Sequence, residues 1–347
     1  MKNKISCLVS LCLLLIILTG CTTSEVTPIA SLNETQTPTV EVEVSPEVTK
    51  SPTCSMPYFE PVSLFPDGNR LLVKNQEKIF IVNTETWKQE GTFEIPIVSD
   101  AVAALSPDGS LLAFSNQQDN TIELIDMTDG SAINTLSGHT GLITDLKFTP
   151  ASDKLFSSSH DTWVRVWDRQ GNPVSSFQPT GADDFPSEVL GMAISPDGTM
   201  LATIPFDGPV KLWDMETHAE IAEMGGSGGY DTSDVAFSSD GKYLASDLAT
   251  GLWVWQFSDG SLLLNGINTM AFAFSPDGQN IAYIDIDQNW DAKLTSLDSK
   301  QNIYTMEGNN AWLIFFIDNN RLILFSSAES RVWHLGEENY IMCRSDQ

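Results

Sequence analysis

A short phrase recurs along this 347-residue chain and constrains its fold more than any other feature: a large apolar residue followed by Ser-Pro-Asp-Gly. There are seven copies, and the position of the Asp advances by 37 to 46 residues from each copy to the next. Four copies are nearly intact: Leu105–Gly109, Ile194–Gly198, Phe237–Gly241 and Phe274–Gly278. Three are degraded: Leu64–Gly68, Phe148–Ser152 and Phe315–Asn319.

Each copy places a Pro-Asp-Gly turn between two short apolar runs. Proline fixes φ and glycine accepts the positive φ of a tight turn, so strands are expected on both sides. An alternating run that ends in a large apolar residue follows, then a second turn and a last strand, as at Val164–Asp168 and Val210–Asp214. A four-stranded antiparallel unit repeated at this spacing predicts an all-β chain, a seven-bladed β-propeller.

The third blade carries the clearest family signature. The chain resembles the WD-repeat (WD40) β-propeller family from about residue 57 to 343. The resemblance implies a hydrogen-bonded structural tetrad formed by His139, Ser159, Asp161 and Trp167, with Gly138 before the His and Asp168 after the Trp. The fourth blade keeps only Asp207 and Trp213, so apolar packing is expected to hold most blades. TolB-like propellers, which also use Pro-Asp-Gly turns, are the alternative, but Trp-Asp and Gly-His favour the WD repeat.

The first twenty residues have the pattern of a secretory signal. Lys2 and Lys4 precede an apolar run over residues 5–18, which is shorter than the roughly 20 residues of a spanning helix. Leu18-Thr19-Gly20-Cys21 resembles the bacterial lipobox, which implies a lipoprotein signal peptide over 1–20 and lipidation of Cys21. The chain is therefore expected to be exported and held by its lipid at the extracytoplasmic face of the cell envelope. An ordinary signal peptide followed by a chance cysteine is the alternative.

Residues 21–53 are dense in Thr, Pro, Ser, Glu and Val and contain no aromatic residue. Such a segment cannot bury an apolar face, which predicts a disordered tether. The alternation Val40-Glu41-Val42-Glu43-Val44 leaves open an extra strand that closes the propeller. The propeller domain itself is predicted over 54–347.

Two of the five cysteines, Cys54 and Cys343, fall in the predicted propeller. The first blade is expected to begin with its own inner strand near Tyr58, and the last to end with its own outer strand, so no strand is left over as a latch. We therefore hypothesise a Cys54–Cys343 disulfide that closes the ring in an oxidising compartment. Two unpaired thiols are the alternative.

The sequence shows no convergent catalytic set. The four histidines all have structural interpretations, and no cofactor or metal is predicted. The segment Asp285–Asp291 spaces oxygens like a calcium loop but lacks the glycine at its sixth position and has Ser296 in place of the bidentate Glu, which favours a solvated loop. The chain is thus predicted not to be an enzyme, with a propeller-type hydrolase or lactonase as an alternative.

The chain is strongly acidic, with a formal net charge of −28. Removing residues 1–20 would take away two lysines and leave 16 basic against 46 acidic residues, a formal −30. Such a surface repels nucleic acid and anionic headgroups, so no nucleic-acid partner is expected and the lipid must carry membrane attachment.

Acidic and aromatic residues are concentrated in the loops that a propeller places on one rim. Aromatic anchors among carboxylates suit a basic protein partner, and a non-catalytic scaffold or recognition module is predicted for a monomeric chain. A merely solubilising charge, or a TolB-like role in envelope assembly, is the alternative. The candidate partner face consists of Asp119, Asp183, Asp184, Phe185, Glu188, Phe206, Asp207, Tyr230, Asp231, Asp234, Asp285, Asp287 and Trp290.

Overall fold

A computed structural model describes residues 54–55, 59–97, 100–181, 185–226, 228, 234–307, 310–326, 329–336 and 339–344. The predicted signal peptide, Cys21 and the tether lie outside this range, as do Asp183, Asp184, Tyr230 and Asp231. The described residues form 29 strands and one 3₁₀ turn, Ile286–Gln288. Among them no helix has the length and apolar character needed to cross a membrane.

The strands follow one another in groups of four. After the short β1 (Cys54–Ser55), blade 1 is β2 (Glu60–Leu64), β3 (Arg70–Lys74), β4 (Lys78–Asn83) and β5 (Gln89–Pro96). Blade 2 is β6 (Ala103–Leu105), β7 (Leu111–Asn116), β8 (Thr121–Asp126) and β9 (Ala132–Leu136). Blade 3 is β10 (Ile143–Phe148), β11 (Lys154–Ser159), β12 (Val164–Asp168) and β13 (Pro173–Phe177).

The remaining four blades repeat this plan. Blade 4 is β14 (Val189–Ile194), β15 (Met200–Pro205), β16 (Val210–Asp214) and β17 (Glu220–Met224). Blade 5 is β18 (Val235–Phe237), β19 (Tyr243–Leu248), β20 (Gly251–Gln256) and β21 (Leu262–Ile267). Blade 6 is β22 (Thr269–Phe274), β23 (Asn280–Asp285), β24 (Asp291–Ser296) and β25 (Asn302–Met306); blade 7 is β26 (Ala311–Phe316), β27 (Arg321–Ser326), β28 (Glu329–His334) and β29 (Asn339–Arg344).

Each group of four is an antiparallel sheet in chain order, and together they form the predicted seven-bladed propeller. The first strands of neighbouring blades contact one another from β2 through β6, β10, β14, β18, β22 and β26, so they surround the axis and the fourth strands lie outermost. Loops between second and third strands, and between one blade and the next, therefore emerge on one face, called here the upper face. Turns between first and second strands, and between third and fourth, lie on the opposite, lower face.

The repeated phrase folds as a side-chain-capped turn on the lower face. In blade 2 the Ser106 hydroxyl donates to Asp108 Oδ1 at 2.6 Å and accepts from the Leu111 amide at 2.9 Å. The hydroxyl thereby provides an acceptor for the Leu111 amide and fixes the position of the Asp108 carboxylate, as expected for a polar side chain in a turn. Ser195, Ser238 and Ser275 make the same contact with the Asp two residues later, at 2.6 to 2.7 Å.

The degraded third copy keeps this cap by a different residue. Ala151 stands at the Asp position, but the Thr149 hydroxyl donates to Asp153 Oδ1 at 2.6 Å and accepts from the Lys154 amide at 3.1 Å. The carboxylate has moved two residues along the chain while the bond to the turn is retained. Arg169 then joins blade 3 to blade 2, donating to the Ser152 carbonyl at 2.6 Å and to Asp108 Oδ2 at 2.8 Å.

The ring closes where blade 7 meets blade 1. One apolar cluster unites Phe59 and Phe80 of blade 1 with Phe325 of blade 7, and the rings of Phe59 and Phe325 meet edge-on at 5.5 Å. An ion pair between Arg321 Nη1 and Glu85 Oε1, 2.8 Å apart, joins the same two blades. Burial of large side chains stabilises the structure by roughly 1.5–3 kcal/mol each and is the main non-covalent interaction that holds blades 1 and 7 together.

One fold prediction is wrong. The sequence left no strand for a latch, but β1 pairs in parallel with β29 and adds a fifth strand to blade 7. The paired residues are Cys54 with Cys343 and Ser55 with Arg344. A two-residue strand carries no apolar alternation, so the patterns that reveal longer strands could not detect it.

Candidate functional site

Blade 3 contains the predicted polar tetrad with one change of member. His139 Nδ1 lies 2.9 Å from Asp161 Oδ2, and His139 Nε2 lies 2.8 Å from the hydroxyl of Ser157. The indole nitrogen of Trp167 donates to the same hydroxyl at 2.9 Å. The tetrad is therefore His139, Ser157, Asp161 and Trp167.

The assignment of Ser159 to the tetrad is wrong. Ser157 and Ser159 lie two residues apart in β11, so they project from the same side of the strand and the sequence pattern alone does not separate them. In the register, Trp167 pairs with Leu155, and its indole reaches the nearer serine, Ser157. The hydroxyl of Ser159 instead accepts the Asp161 amide at 3.0 Å and holds the turn.

The Asp161 carboxylate anchors the network. Burial acts to raise its pKa, but hydrogen bonds from His139 and from the amides of Thr140 and Trp163 outweigh burial and lower the pKa to about 2. Asp161 therefore stays ionised throughout the physiological range. Hydrogen bonding to the charged form is the cause of such a shift.

The Ser157–His139–Asp161 chain has the order of contacts seen in a hydrolytic triad. Ser157, however, is 0% exposed, and its hydroxyl oxygen also accepts a hydrogen bond from the Trp167 indole. A nucleophile must be open to a substrate carbonyl, which this hydroxyl is not. The arrangement joins the β9–β10 connection to β11 and β12 and serves structure.

Blade 4 divides the same network into two separate pairs. The indole of Trp213 donates to Thr203 at 2.9 Å, and Ser187 donates to Asp207 in a short contact. Ser187 thus takes the place that His139 has in blade 3, but its side chain does not reach the threonine. Asp207 is consequently committed to Ser187 as well as exposed on the upper face.

The structure places eight of the nine described members of the candidate partner face in upper-face loops, and the ninth, Asp285, is the last residue of β23 at the same face. Phe185, in the connection from blade 3 to blade 4, is 72% exposed, the most exposed large apolar residue among those described. Glu188 lies in the same connection, with its Oε2 3.9 Å from His160 Nδ1. An exposed aromatic ring in the same connection as a carboxylate has the composition of a partner contact.

The other two described aromatics of this face are half-buried. Phe206 packs against the core between blades 4 and 5, and Trp290 packs against the core between blades 6 and 7. Their role as anchors stays a prediction, and part of each ring is already occupied by packing within the propeller. Phe185 is the most exposed aromatic among the described members of the face.

The acidic members of the face fall into two kinds. Asp119 and Asp287 are exposed, and within the described part of the chain each accepts a single side-chain amide, from Asn116 and Asn268 respectively. Asp285 is 9% exposed, and its Oδ2 accepts the ammonium of Lys293 at 2.6 Å. Asp285 is the first acidic residue of the calcium-like segment, and its carboxylate is already paired with Lys293. Its role is therefore structural.

Charged side chains of the first strands and their connections form a cluster near the axis of the propeller. Asp145 of β10 accepts the Lys147 ammonium at 2.9 Å and the Met192 amide of blade 4 at 3.0 Å. The Lys147 side chain and Asp234 remain accessible to solvent, but the surrounding protein reduces their hydration. This loss of hydration acts to lower the pKa of Lys147, but Asp145 and Asp234 outweigh it and raise the pKa. Reduced hydration raises the pKa of Asp234 to about 6 and, with the nearby charge of Asp234, that of Asp247 to about 7.

Sequence reasoning missed two apolar residues of the upper-face loops, Leu142 and Trp163. Leu142 is 49% exposed in the connection from blade 2 to blade 3. Trp163, in the β11–β12 loop, is half-buried, and the guanidinium carbon of Arg165 lies 5.6 Å from its ring centre. An apolar residue in a loop was the available signal for Leu142. Among the described residues, no group of three or more His, Cys, Asp or Glu side chains is arranged to hold a metal ion.

Comparison with known proteins supports the type of propeller. Residues 130–168 match the family model described as "WD domain, G-beta repeat". The match begins in the β8–β9 turn, crosses β9 and ends with the last residue of β12, and so contains the whole tetrad. The chain is a seven-bladed β-propeller, and the segment that contains the tetrad of its third blade is similar to the WD40 repeat.

Curated relatives are similar over part of the chain. The chain is 28% identical to the periodic tryptophan protein 2 homolog of Schizosaccharomyces pombe over 39% of its length, and 26% identical to the pre-mRNA-processing factor 19 homolog 2 of Arabidopsis thaliana over 40%. It is 31% identical to coronin-7 of Bos taurus over 43%. The matches span 16%, 34% and 16% of these relatives' own lengths.

Proposed function

We propose that this chain is a non-catalytic recognition module whose upper face binds a basic segment of a partner protein. The observation that carries the proposal is Phe185, 72% exposed and accompanied on its face by the exposed carboxylates Asp119 and Asp287. An exposed ring supplies contact area, and surrounding carboxylates steer a basic partner and favour it over an acidic one. Similarity to WD-repeat proteins supports a protein-interaction role.

We further propose that the module acts outside the cell membrane, as a bacterial lipoprotein monomer tethered through Cys21. Support comes from the order of the first 53 residues: two lysines, an apolar run, Leu-Thr-Gly-Cys and then a segment rich in Thr, Pro and Glu. With a formal charge of −30 after removal of residues 1–20, the domain would be repelled from anionic headgroups. A lipid on a long tether would hold it near the membrane while leaving the upper face free.

The test is affinity capture from native envelopes with the full chain as bait. The upper-face variant combines Phe185→Ser with Asp119→Asn, Glu188→Gln and Asp287→Asn. Its matched control combines Val174→Ser, on the exposed side of β13, with Asp129→Asn, Glu216→Gln and Asp259→Asn in lower-face turns. Both variants lose three carboxylates and one exposed apolar side chain.

A partner held by the wild type and the control, but lost by the upper-face variant and released by salt, would support the proposal. A partner lost equally from both variants would contradict the assignment of the face. If neither form captures a saturable partner, the recognition role itself is wrong.

A further inference from the structure

The two cysteines of the propeller are 289 positions apart in the chain and share one rung of a sheet. Cys54 in β1 pairs with Cys343 in β29, and this is the first of only two residue pairs in that parallel ladder. The other three cysteines, at positions 7, 12 and 21, precede the propeller. The fold thus brings the two cysteines of the propeller, the fourth and fifth of the chain, together by backbone register alone.

The spacing of paired strands is compatible with a covalent bond. Adjacent strands lie about 4.7–4.9 Å apart, and disulfide-bonded residues have Cα atoms about 4.4–6.8 Å apart. Residues on the same rung of a ladder therefore fall within the range that a disulfide requires. A shift of the β1 register by two residues would take the pair out of that range.

A disulfide between Cys54 and Cys343 would join the segment before blade 1 to the outer strand of blade 7. β1 is the only described segment that precedes blade 1 and pairs with blade 7, and it does so over two residues. So short a ladder contributes little to closure compared with the apolar cluster between blades 1 and 7. We propose that Cys54 and Cys343 form a disulfide that latches the N-terminal segment to the outer strand of the last blade and closes the ring covalently.

The bond forms by thiol–disulfide exchange with a disulfide-bearing oxidant, either an oxidoreductase or a small-molecule disulfide. The thiolate of one cysteine attacks a sulfur of the oxidant, forms a mixed disulfide and releases one oxidant thiol. The second cysteine attacks the mixed disulfide and releases the other oxidant thiol. The two protein thiols lose two protons and two electrons, and the oxidant disulfide gains them.

The first test is non-reducing peptide mapping of the purified full chain. Equilibration with oxidised glutathione is followed by blocking of free thiols at low pH and digestion with trypsin. Cleavage after Lys50, Arg70, Arg331 and Arg344 gives peptides 51–70 and 332–344, each with a single cysteine. The expected result is one linked species that separates on reduction; recovery of both peptides with blocked thiols, or of either linked to another cysteine, would overturn the proposal.

The second test keeps the proposal falsifiable if a variant folds poorly. Cys54→Ser, Cys343→Ser and the double variant each remove the same bond, so all three should lower Tm by a similar amount, on the order of 10 °C. A phosphine reductant should lower the Tm of the wild type and leave the double variant unchanged. Additive losses in the double variant, or a wild-type Tm insensitive to reduction, would contradict the latch. Neither test depends on a partner or on the upper face.

Discussion

At the residue scale, Trp167 and Trp333 occupy equivalent places in blades 3 and 7 but differ in their hydrogen bonds. The Trp167 indole donates to Ser157, whereas the buried indole nitrogen of Trp333 has no acceptor among the residues that the structure describes. The register gives the reason: Trp167 pairs with Leu155, two residues before Ser157, and Trp333 pairs with Leu322, two residues before Leu324. Leucine offers no oxygen where blade 3 has a hydroxyl.

Replacing each indole by a phenyl ring should therefore have unequal effects. Trp167→Phe leaves a buried hydroxyl without its donor and should lower the free energy of unfolding by about 1–3 kcal/mol more than Trp333→Phe, which removes a group that had no partner. Urea denaturation of the two variants measures the difference. Equal losses would contradict the assigned bonding.

Asp247 should make the folded state less stable as pH rises. Burial and the charge of Asp234 raise its pKa to about 7, against a value near 3.8 in the unfolded chain. Between these values the folded state retains a proton that the unfolded state releases, so stability falls as pH rises from about 4 to 7. The fall in Tm from pH 5 to pH 8 should be smaller by roughly 2–4 °C in Asp247→Asn. An identical fall in variant and wild type would disprove this.

At the element scale, the capped turns of the lower face also join blades. A Cβ added to Gly109 would lie 2.9 Å from Pro66 Cδ of the preceding blade, whereas one added to Gly68 meets no atom within 4 Å. Both glycines have positive φ, 72° and 68°, so both alanine variants carry the same backbone strain. The difference in unfolding free energy between the two variants therefore measures the effect of the contact between blades.

Gly68→Ala should cost about 1 kcal/mol of unfolding free energy, and Gly109→Ala about 1–3 kcal/mol more, from the clash with the proline ring. Chemical denaturation of both variants provides the comparison. If Gly109→Ala is no worse than Gly68→Ala, the turns do not support one another.

The sequence was sufficient for elements that repeat. Seven copies of one turn specified the blades, and even the degraded third copy preserved its cap through Thr149 and Asp153. The sequence was insufficient to choose between two identical residues on the same side of a strand, as with Ser157 and Ser159 in β11. It also failed for β1, which is too short for a pattern. It could not give the partial burial of Phe206 and Trp290, because that burial depends on neighbouring blades.

At the scale of the whole molecule, the proposed attachment and the proposed recognition belong to separate segments. If Cys21 carries the lipid, Cys21→Ser should abolish metabolic labelling with an alkyne fatty acid and move the protein from the membrane to the soluble fraction. Equal labelling of variant and wild type would rule out this anchor. The propeller itself should retain its thermal transition, because the substitution lies 33 residues before Cys54.

The central claim is that the upper face is the recognition surface. The most direct measurement is photo-crosslinking in living cells with a benzophenone amino acid introduced at Phe185, and at Val174 of β13 as the control. Val174 is also an exposed apolar position, 53% exposed, but lies on an outer strand. We predict a discrete adduct with a basic protein from position 185 and none from position 174. The same adduct from both positions, or an adduct from 174 alone, would contradict the account.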